Sequence, residues 1–300
     1  MLTEMDDTGS WITVAVADER RSAELALVLS ARSIDYRRVL GFRGWELCVP
    51  APLAAEATAE LAQYLAENKR AVGQRHVEHV GGALPGVATY VLILLVVFAS
   101  LHKSVFNLDW LVAGRFDAGR VVGGEWWRVV TALTVHFDID HLAGNLGFGA
   151  FFGYFVGHYL GRGAGWLAIV GSAAMANVVA ALVEPAGHRS IGASTAVFAA
   201  VGILTAYTWR RGYLRDTPWR ARIAPIVAGL GLLAFTGTAG ENTDLVAHLF
   251  GFVAGFGCGL GFAHFARIAA LRSHPVQNVC AAIALGAVLA AWVWGLLAAG

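Results

Sequence analysis

The sequence runs to 300 residues, 57% of them hydrophobic and only 14% charged, a balance outside the range of ordinary soluble domains and expected of a polytopic membrane protein. Its formal net charge is +1, and the charges crowd into the first eighty residues and a few short loops. A general polyanion-binding role is therefore excluded, and no nucleic acid is expected as a partner. Cys48, Cys258 and Cys280 show no paired spacing, so neither a disulfide framework nor a thiolate metal site is indicated; no cofactor and no metal are expected.

From the amino terminus, MLTEMDDTGS is acidic and polar rather than basic then apolar, so no signal peptide is expected before the first apolar segment. Residues 1–80 read as a small cytosolic α+β module of βαββα order. WITVAVA has the pattern of a strand, ERRSAELALVLSARSI of an amphipathic helix, YRRVLGF and WELCVP of a hairpin, and LAAEATAELAQYLAENKR of a second helix. Without a cluster of His, Cys or carboxylates, the module is read as a regulatory or interaction unit, joined to the rest by HVEHVGGALPG.

Seven apolar segments follow, near 83–102, 142–160, 164–183, 191–209, 222–239, 245–264 and 277–298. Each has roughly the length needed to cross a ~30 Å hydrocarbon core. The expected fold is all-α: a core over 81–266 with six transmembrane helices, then a loop and a seventh helix over 267–300. The connection between the first two spans is about forty residues long, amphipathic, and rich in Trp, Phe and Arg. It is expected to lie in the membrane interface, its arginines near lipid head groups. Arg162, Arg210, Arg211, Arg215, Arg220, Arg222, Arg267 and Arg272 fall in loops on one side, and Arg189 alone in the later loops on the other. The amino terminus is therefore placed inside and the carboxy terminus outside. A ladder of Gly149, Gly153, Gly157 and Gly161 is read as internal packing, so an oligomer is possible but not indicated.

With that orientation, the second, fourth and sixth spans all run from outside to inside. HLAGN opens the second with His141 and Asn145 one turn apart on one face; GAS opens the fourth; DLVAHLFG opens the sixth, with His248 about one turn in. At 1.5 Å per residue, Ser194, His248 and His141 lie within roughly 10 Å of the outer edge of the core. Taken singly, Ser194 reads as a packing serine, His248 as a buried histidine bonded to a carbonyl, and His141 with Asn145 as a polar helix start. Three such positions at one depth instead favour a serine nucleophile, a histidine base and polar groups for an oxyanion. Gly192 lets the chain turn tightly before Ser194, and Gly251 and Gly255 leave the sixth span a smooth face for close packing on the fourth. Asp244, one turn outward of His248, is read as an interfacial polar residue, which leaves a dyad rather than a triad.

These residues carry a resemblance. EWWRVVTALTVHFDIDHLAGNL, IGAST and AHLFGFVAG resemble the three signature regions of the rhomboid intramembrane serine proteases, in the same order and over about residues 85–265. The resemblance implies a nucleophile at Ser194, a general base at His248, and an oxyanion hole formed by the Ser194 amide with His141 and Asn145. It also implies supporting roles for Gly192, Gly251, Gly255, the first-loop pair Trp127 and Arg128, and His136. The family usually has glycine where this chain has Thr195, and often tyrosine where it has Phe198. Phe198 keeps the ring against which the base packs; Thr195 adds bulk beside the nucleophile and is expected to slow the enzyme or narrow its substrates. The implied partners are transmembrane protein substrates in a lipid bilayer, and the implied setting is a bacterial inner (plasma) membrane, with TGTAGENTD and the fifth span as cap and gate. The alternative is a catalytically silent relative that binds membrane clients; such relatives typically lack the serine or the histidine. A transporter would place its polar residues at the midplane, and a zinc protease would need an HExxH motif that the sequence lacks.

Overall fold

The computed structural model describes residues 10–42, 44–68, 80–211, 244–265 and 269–299, with isolated positions 223, 227 and 231. But for those three positions, the fifth expected span and the cap loop before Asp244 lie outside the described residues. The chain divides into two compact units, residues 1–75 and 76–300.

In the first unit, β1 (Trp11–Ala17), α1 (Glu19–Ala31), β2 (Arg37–Gly41), β3 (Gly44–Pro50) and α2 (Ala54–Glu67) follow in order. The antiparallel sheet has the order β1-β3-β2, so the hairpin strand β3 is central. Leu47 and Val49, alternate residues of β3, pack against Leu25, Ala26 and Leu29 of α1 and Ala57 and Leu61 of α2. Period-2 alternation on the strand thus meets a helical stripe. Asp18 starts α1 by accepting from the Arg21 amide at 2.8 Å.

The second unit begins with α3 (Leu84–His102). A long loop follows with α4 (Trp110–Gly114), β4 (Phe116–Asp117), α5 (Ala118–Val122) and α6 (Arg128–Thr131). Next come α7 (Ile139–Leu160), α8 (Ala164–Val183), β5 (Arg189–Ser190), α9 (Ser194–Arg211), α10 (Leu245–Phe265) and α11 (His274–Ala299). Among the described residues, α3, α8, α10 and α11 are long and apolar enough to cross a membrane. The 22-residue α7 and the 18-residue α9 fall short of that apolarity. His141 and Asn145 lie on the first, and Ser194, Thr195, Arg210 and Arg211 on the second. The chain is a multi-pass, mostly helical membrane protein with a small α+β amino-terminal unit.

The seam between α9 and α10 is made of glycine against backbone. A first side-chain carbon at Gly251 would lie 2.6 Å from the Thr195 carbonyl oxygen, one at Gly255 2.8 Å from the Ala199 Cα, and one at Gly259 2.9 Å from the Ile203 Cα. Gly202 on α9 answers in kind, 2.8 Å from the Phe256 amide. Small residues four apart bring the two helix backbones into direct contact. The ladder on α7 is consumed inside the unit: Tyr90 packs over Gly149, Trp166 over Gly153 and Ala83 over Gly157.

For Arg128 the first loop corrects the expectation of a place near lipid head groups, whereas Arg120 stays half exposed. Arg128 is buried; its Nε donates to Glu125 Oε2 at 2.7 Å and its Nη1 to the carbonyls of Val112 (2.7 Å) and Arg115 (2.9 Å). A guanidinium tolerates burial when its donors are matched and its charge is paired, and both conditions hold here. Trp127 packs with Val288, Ala291 and Trp292 of α11. Trp292 Nε1 donates to Thr134 Oγ1 at 2.9 Å, and Gln277 Oε1 accepts from the amides of Gly163 (2.9 Å) and Ala164 (3.0 Å). The last helix is therefore stitched to the first loop at one end and to the α7–α8 turn at the other.

Gly255→Ala forces α9 and α10 apart and is expected to cost about 1–3 kcal/mol of stability through overpacking, read as a lower melting temperature in detergent. Gly257→Ala on the same helix meets open space and is expected to leave the melting temperature unchanged or raise it. A similar fall in both variants would contradict the seam.

Candidate active site

The α8–α9 loop presents Ser194, and it is anchored from three directions. On the first-loop side, β5 pairs with β4, and Arg189 Nε donates to Asp117 Oδ2 at 3.0 Å. From within, the Gly192 amide donates to the Ala132 carbonyl at 2.9 Å, and the Ala193 amide to Nε2 of the fully buried His136 at 3.2 Å. Because His136 Nε2 accepts, its proton is assigned to Nδ1, which lies 3.3 Å from the Thr134 carbonyl. From α10, Asp244 Oδ2 lies 2.9 Å from His188 Nε2, while Glu184 Oε2 stands 3.8 Å from His188 Nδ1.

Asp244, expected to be a polar residue outside the dyad, has a structural role in these contacts. Its Oδ1 accepts from the Ala247 amide at 2.9 Å, capping α10, and its other oxygen holds His188. Burial pushes its carboxyl up, but the Ala247 amide and the bonds from His188 and Ser190 outweigh that and hold it below the ordinary 3.8. The ligand atoms of Glu184, His188 and Asp244 lie within 4.8 Å of one another. His188 Nε2 is already engaged by Asp244, however, and Glu184 faces the other ring nitrogen beyond hydrogen-bond distance, so the three do not converge on one point as one ion's ligands would.

Gly192 has φ +122°, a backbone region closed to most L side chains. A side chain there would also strike the His141 ring, its first carbon 2.6 Å from Cε1 and 2.7 Å from Nε2. The chain leaves this turn directly into α9, so Ser194 occupies the first turn, where backbone amides have no intrahelical acceptor. Across the glycine seam, Ser194 Oγ lies 2.6 Å from His248 Nε2. The buried His248 packs against Phe198, with ring centroids 4.7 Å apart. Its Nδ1 has no hydrogen-bond partner among the described residues.

Of the residues singled out in the sequence, Ser194, His248, Phe198, Gly192, His141 and Asn145 are brought together. Asn145 is buried; its Nδ2 donates to the His141 carbonyl at 3.0 Å, and its own carbonyl accepts from Tyr90 Oη at 2.7 Å. Gly251 and Gly255 sit in the seam behind the pair, whereas Trp127 and Arg128 lie in the first loop against α11 and α4. Thr195 is buried, its methyl turned toward Gly251, 3.2 Å from where a side chain there would begin, so its bulk goes into the seam. The sequence reading missed His188, Glu184 and the Asp117–Arg189 pair. An aspartate three residues before Ala247 at a helix start is a readable cap signal; nothing in the sequence pointed to its second partner.

The fold and site together define a helical, membrane-embedded protein with a serine and a histidine on adjacent helices and no carboxylate behind the histidine among the described residues. Residues 123–265 match the model of the Rhomboid domain. Over 175 residues the chain is 31% identical to the putative rhomboid protease YdcA of Bacillus subtilis (strain 168), covering 57% of this chain and 85% of that protein. It is 30% identical to rhomboid protease GluP of the same organism over 167 residues, 55% of this chain and 32% of that one. Rhomboid-like protease 2 of Toxoplasma gondii is 29% identical over 140 residues, covering 46% and 48% respectively. The chain belongs to the rhomboid family.

Because the Asp244 carboxyl is held low in the folded state, its stabilisation is complete above pH 3.8 and is lost as the pH falls through the lower folded value. Asp244→Asn keeps a capping side chain but loses the charge. At neutral pH it is expected to lose about 1–2 kcal/mol, and the gap in melting temperature from the parent is expected to close as the pH is lowered past 3.8. A gap independent of pH would contradict the assignment.

Proposed function

We propose that this protein is an intramembrane serine endopeptidase that cleaves transmembrane segments near the outer face of the membrane, through a Ser194–His248 dyad and an acyl-enzyme intermediate. The observation that carries the reading is the 2.6 Å approach of Ser194 Oγ to His248 Nε2 across two helices. Ser194 Oγ attacks the scissile carbonyl carbon as His248 Nε2 takes its proton. The tetrahedral oxyanion is stabilised by the Ser194 amide and the side chains of Asn145 and His141, near the positive end of α9. Collapse expels the amine, which receives the proton from His248, and leaves an ester on Ser194. A water molecule, deprotonated by His248, attacks that ester; the new carboxyl terminus departs and the serine regains its proton.

His248 works without a carboxylate orienting it, and Phe198 against its ring, with the tight seam behind it, holds the imidazole instead. A helical substrate has its carbonyls bonded within the helix, so the segment to be cut must unwind locally to offer one. The arginine distribution supports an amino terminus on the cytoplasmic side, with water reaching the dyad from outside, and the membrane proposed is a bacterial inner membrane.

The test is cleavage of a model transmembrane substrate by purified protein in proteoliposomes. Ser194→Ala and His248→Ala are expected to abolish cleavage, and Asn145→Ala to lower kcat by about 10²–10³, the scale of one oxyanion donor. Undiminished cleavage by either of the first two variants sinks the assignment.

A further inference from the structure

Neither Ser194 nor His248 lines an apolar groove on the second unit, which reaches α9 only at Ala196. It is walled by α3 (Gly86, Tyr90, Leu94), α8 (Trp166, Ile169) and α11 (Ala281, Leu285, Val288), and encloses a cavity of ≈ 240 Å³. Its three hydroxyls are already committed: Thr89 Oγ1 donates to the Pro85 carbonyl at 2.9 Å, Tyr90 Oη to the Asn145 carbonyl at 2.7 Å, and Thr134 Oγ1 to the Thr131 carbonyl at 2.7 Å while accepting from Trp292. The walls therefore offer mainly hydrocarbon contact, with Trp166 Nε1 a buried donor that has no partner among the described residues. The charged member of the lining is Arg162, in the turn between α7 and α8. Its Nη2 donates to Asn278 Oδ1 at 2.7 Å, and a guanidinium has five N–H donors to offer.

The groove's length points to its occupant. From Gly86 to Leu94 on α3 is eight residues, about 12 Å along a helix, which is close to half of a ~30 Å hydrocarbon core. A slot about one leaflet deep, mostly apolar along its walls and cationic at the Arg162 end, fits one acyl chain of a phospholipid whose phosphate, with no headgroup cation to compensate it, meets Arg162. We propose that this groove is a binding site for an anionic phospholipid of the leaflet on the Arg162 side. The lipid wedges α11 against α3 and α8, and the proposal stands independently of the proteolytic reading.

Native mass spectrometry of the full chain in a neutral detergent tests this, with phosphatidylglycerol and phosphatidylcholine of equal chain length as probes. The parent protein is expected to retain one phosphatidylglycerol about tenfold more tightly than phosphatidylcholine, the scale of one charge-assisted contact. Arg162→Gln removes that preference, Arg162→Lys retains most of it, and Ala282→Phe, which fills the groove, weakens both lipids at an unchanged melting temperature. If Ala282→Phe fails to fold, the Gln and Lys variants decide alone. An unchanged preference in Arg162→Gln would mean surrounding bulk lipid only and overturns the proposal. Displacement of the bound species by inorganic phosphate, or a dimer that Ala282→Phe dissociates, overturns it equally by naming a different occupant.

Discussion

A hydroxyl and an imidazole on two separate membrane helices can share a proton only if the helix backbones nearly touch, and the contact between α9 and α10 meets that constraint. Gly251, Gly255 and Gly259 put bare Cα atoms against the carbonyls of Thr195, Ala199 and Ile203, and Gly202 returns the fit. In a bilayer no hydrophobic force draws helices together, so this close approach supplies dispersion contact where larger residues could not. The 2.6 Å between Ser194 Oγ and His248 Nε2 is a consequence of that seam.

The seam fixes how far apart the two helices stand, and the loop anchors fix their register. Arg189 ties the loop before Ser194 to Asp117 on the first loop, and His188 ties it to Asp244 at the head of α10. His136 holds the amide of Ala193 immediately before the serine. The first loop is in turn stiffened by the buried Arg128 and backed by α11 through Trp292. A strained turn at Gly192 is thus surrounded by bonds from every side, as a conformation of that kind requires in order to persist.

Much of this was legible in the sequence because a polar residue in an apolar run stands out, and residues at one depth can be matched without knowing the fold. Ser194, His248, His141 and Asn145 were found in that way. Helix boundaries were less legible. The fourth span begins at Ser194 rather than Ile191 because Gly192 leaves helical φ. The last begins at His274 rather than 277, with Pro275 in a first turn where its missing N–H costs nothing. Arg128 was misplaced because Trp, Phe and Arg interleaved look alike whether they meet lipid or a folded interior. Only tertiary structure reveals that carbonyls of Val112 and Arg115 await the Arg128 guanidinium. His188 gave no signal, since its partner lies 56 positions away on another helix.

The central claim is that Ser194 is made nucleophilic by His248 alone. Its most direct test is the site of covalent labelling by a serine-directed fluorophosphonate, mapped by peptide mass spectrometry on the folded protein in detergent. The account predicts a single adduct on Ser194 that disappears in His248→Ala and persists in Asp244→Asn. Labelling at another serine, or undiminished labelling of Ser194 without His248, would contradict it.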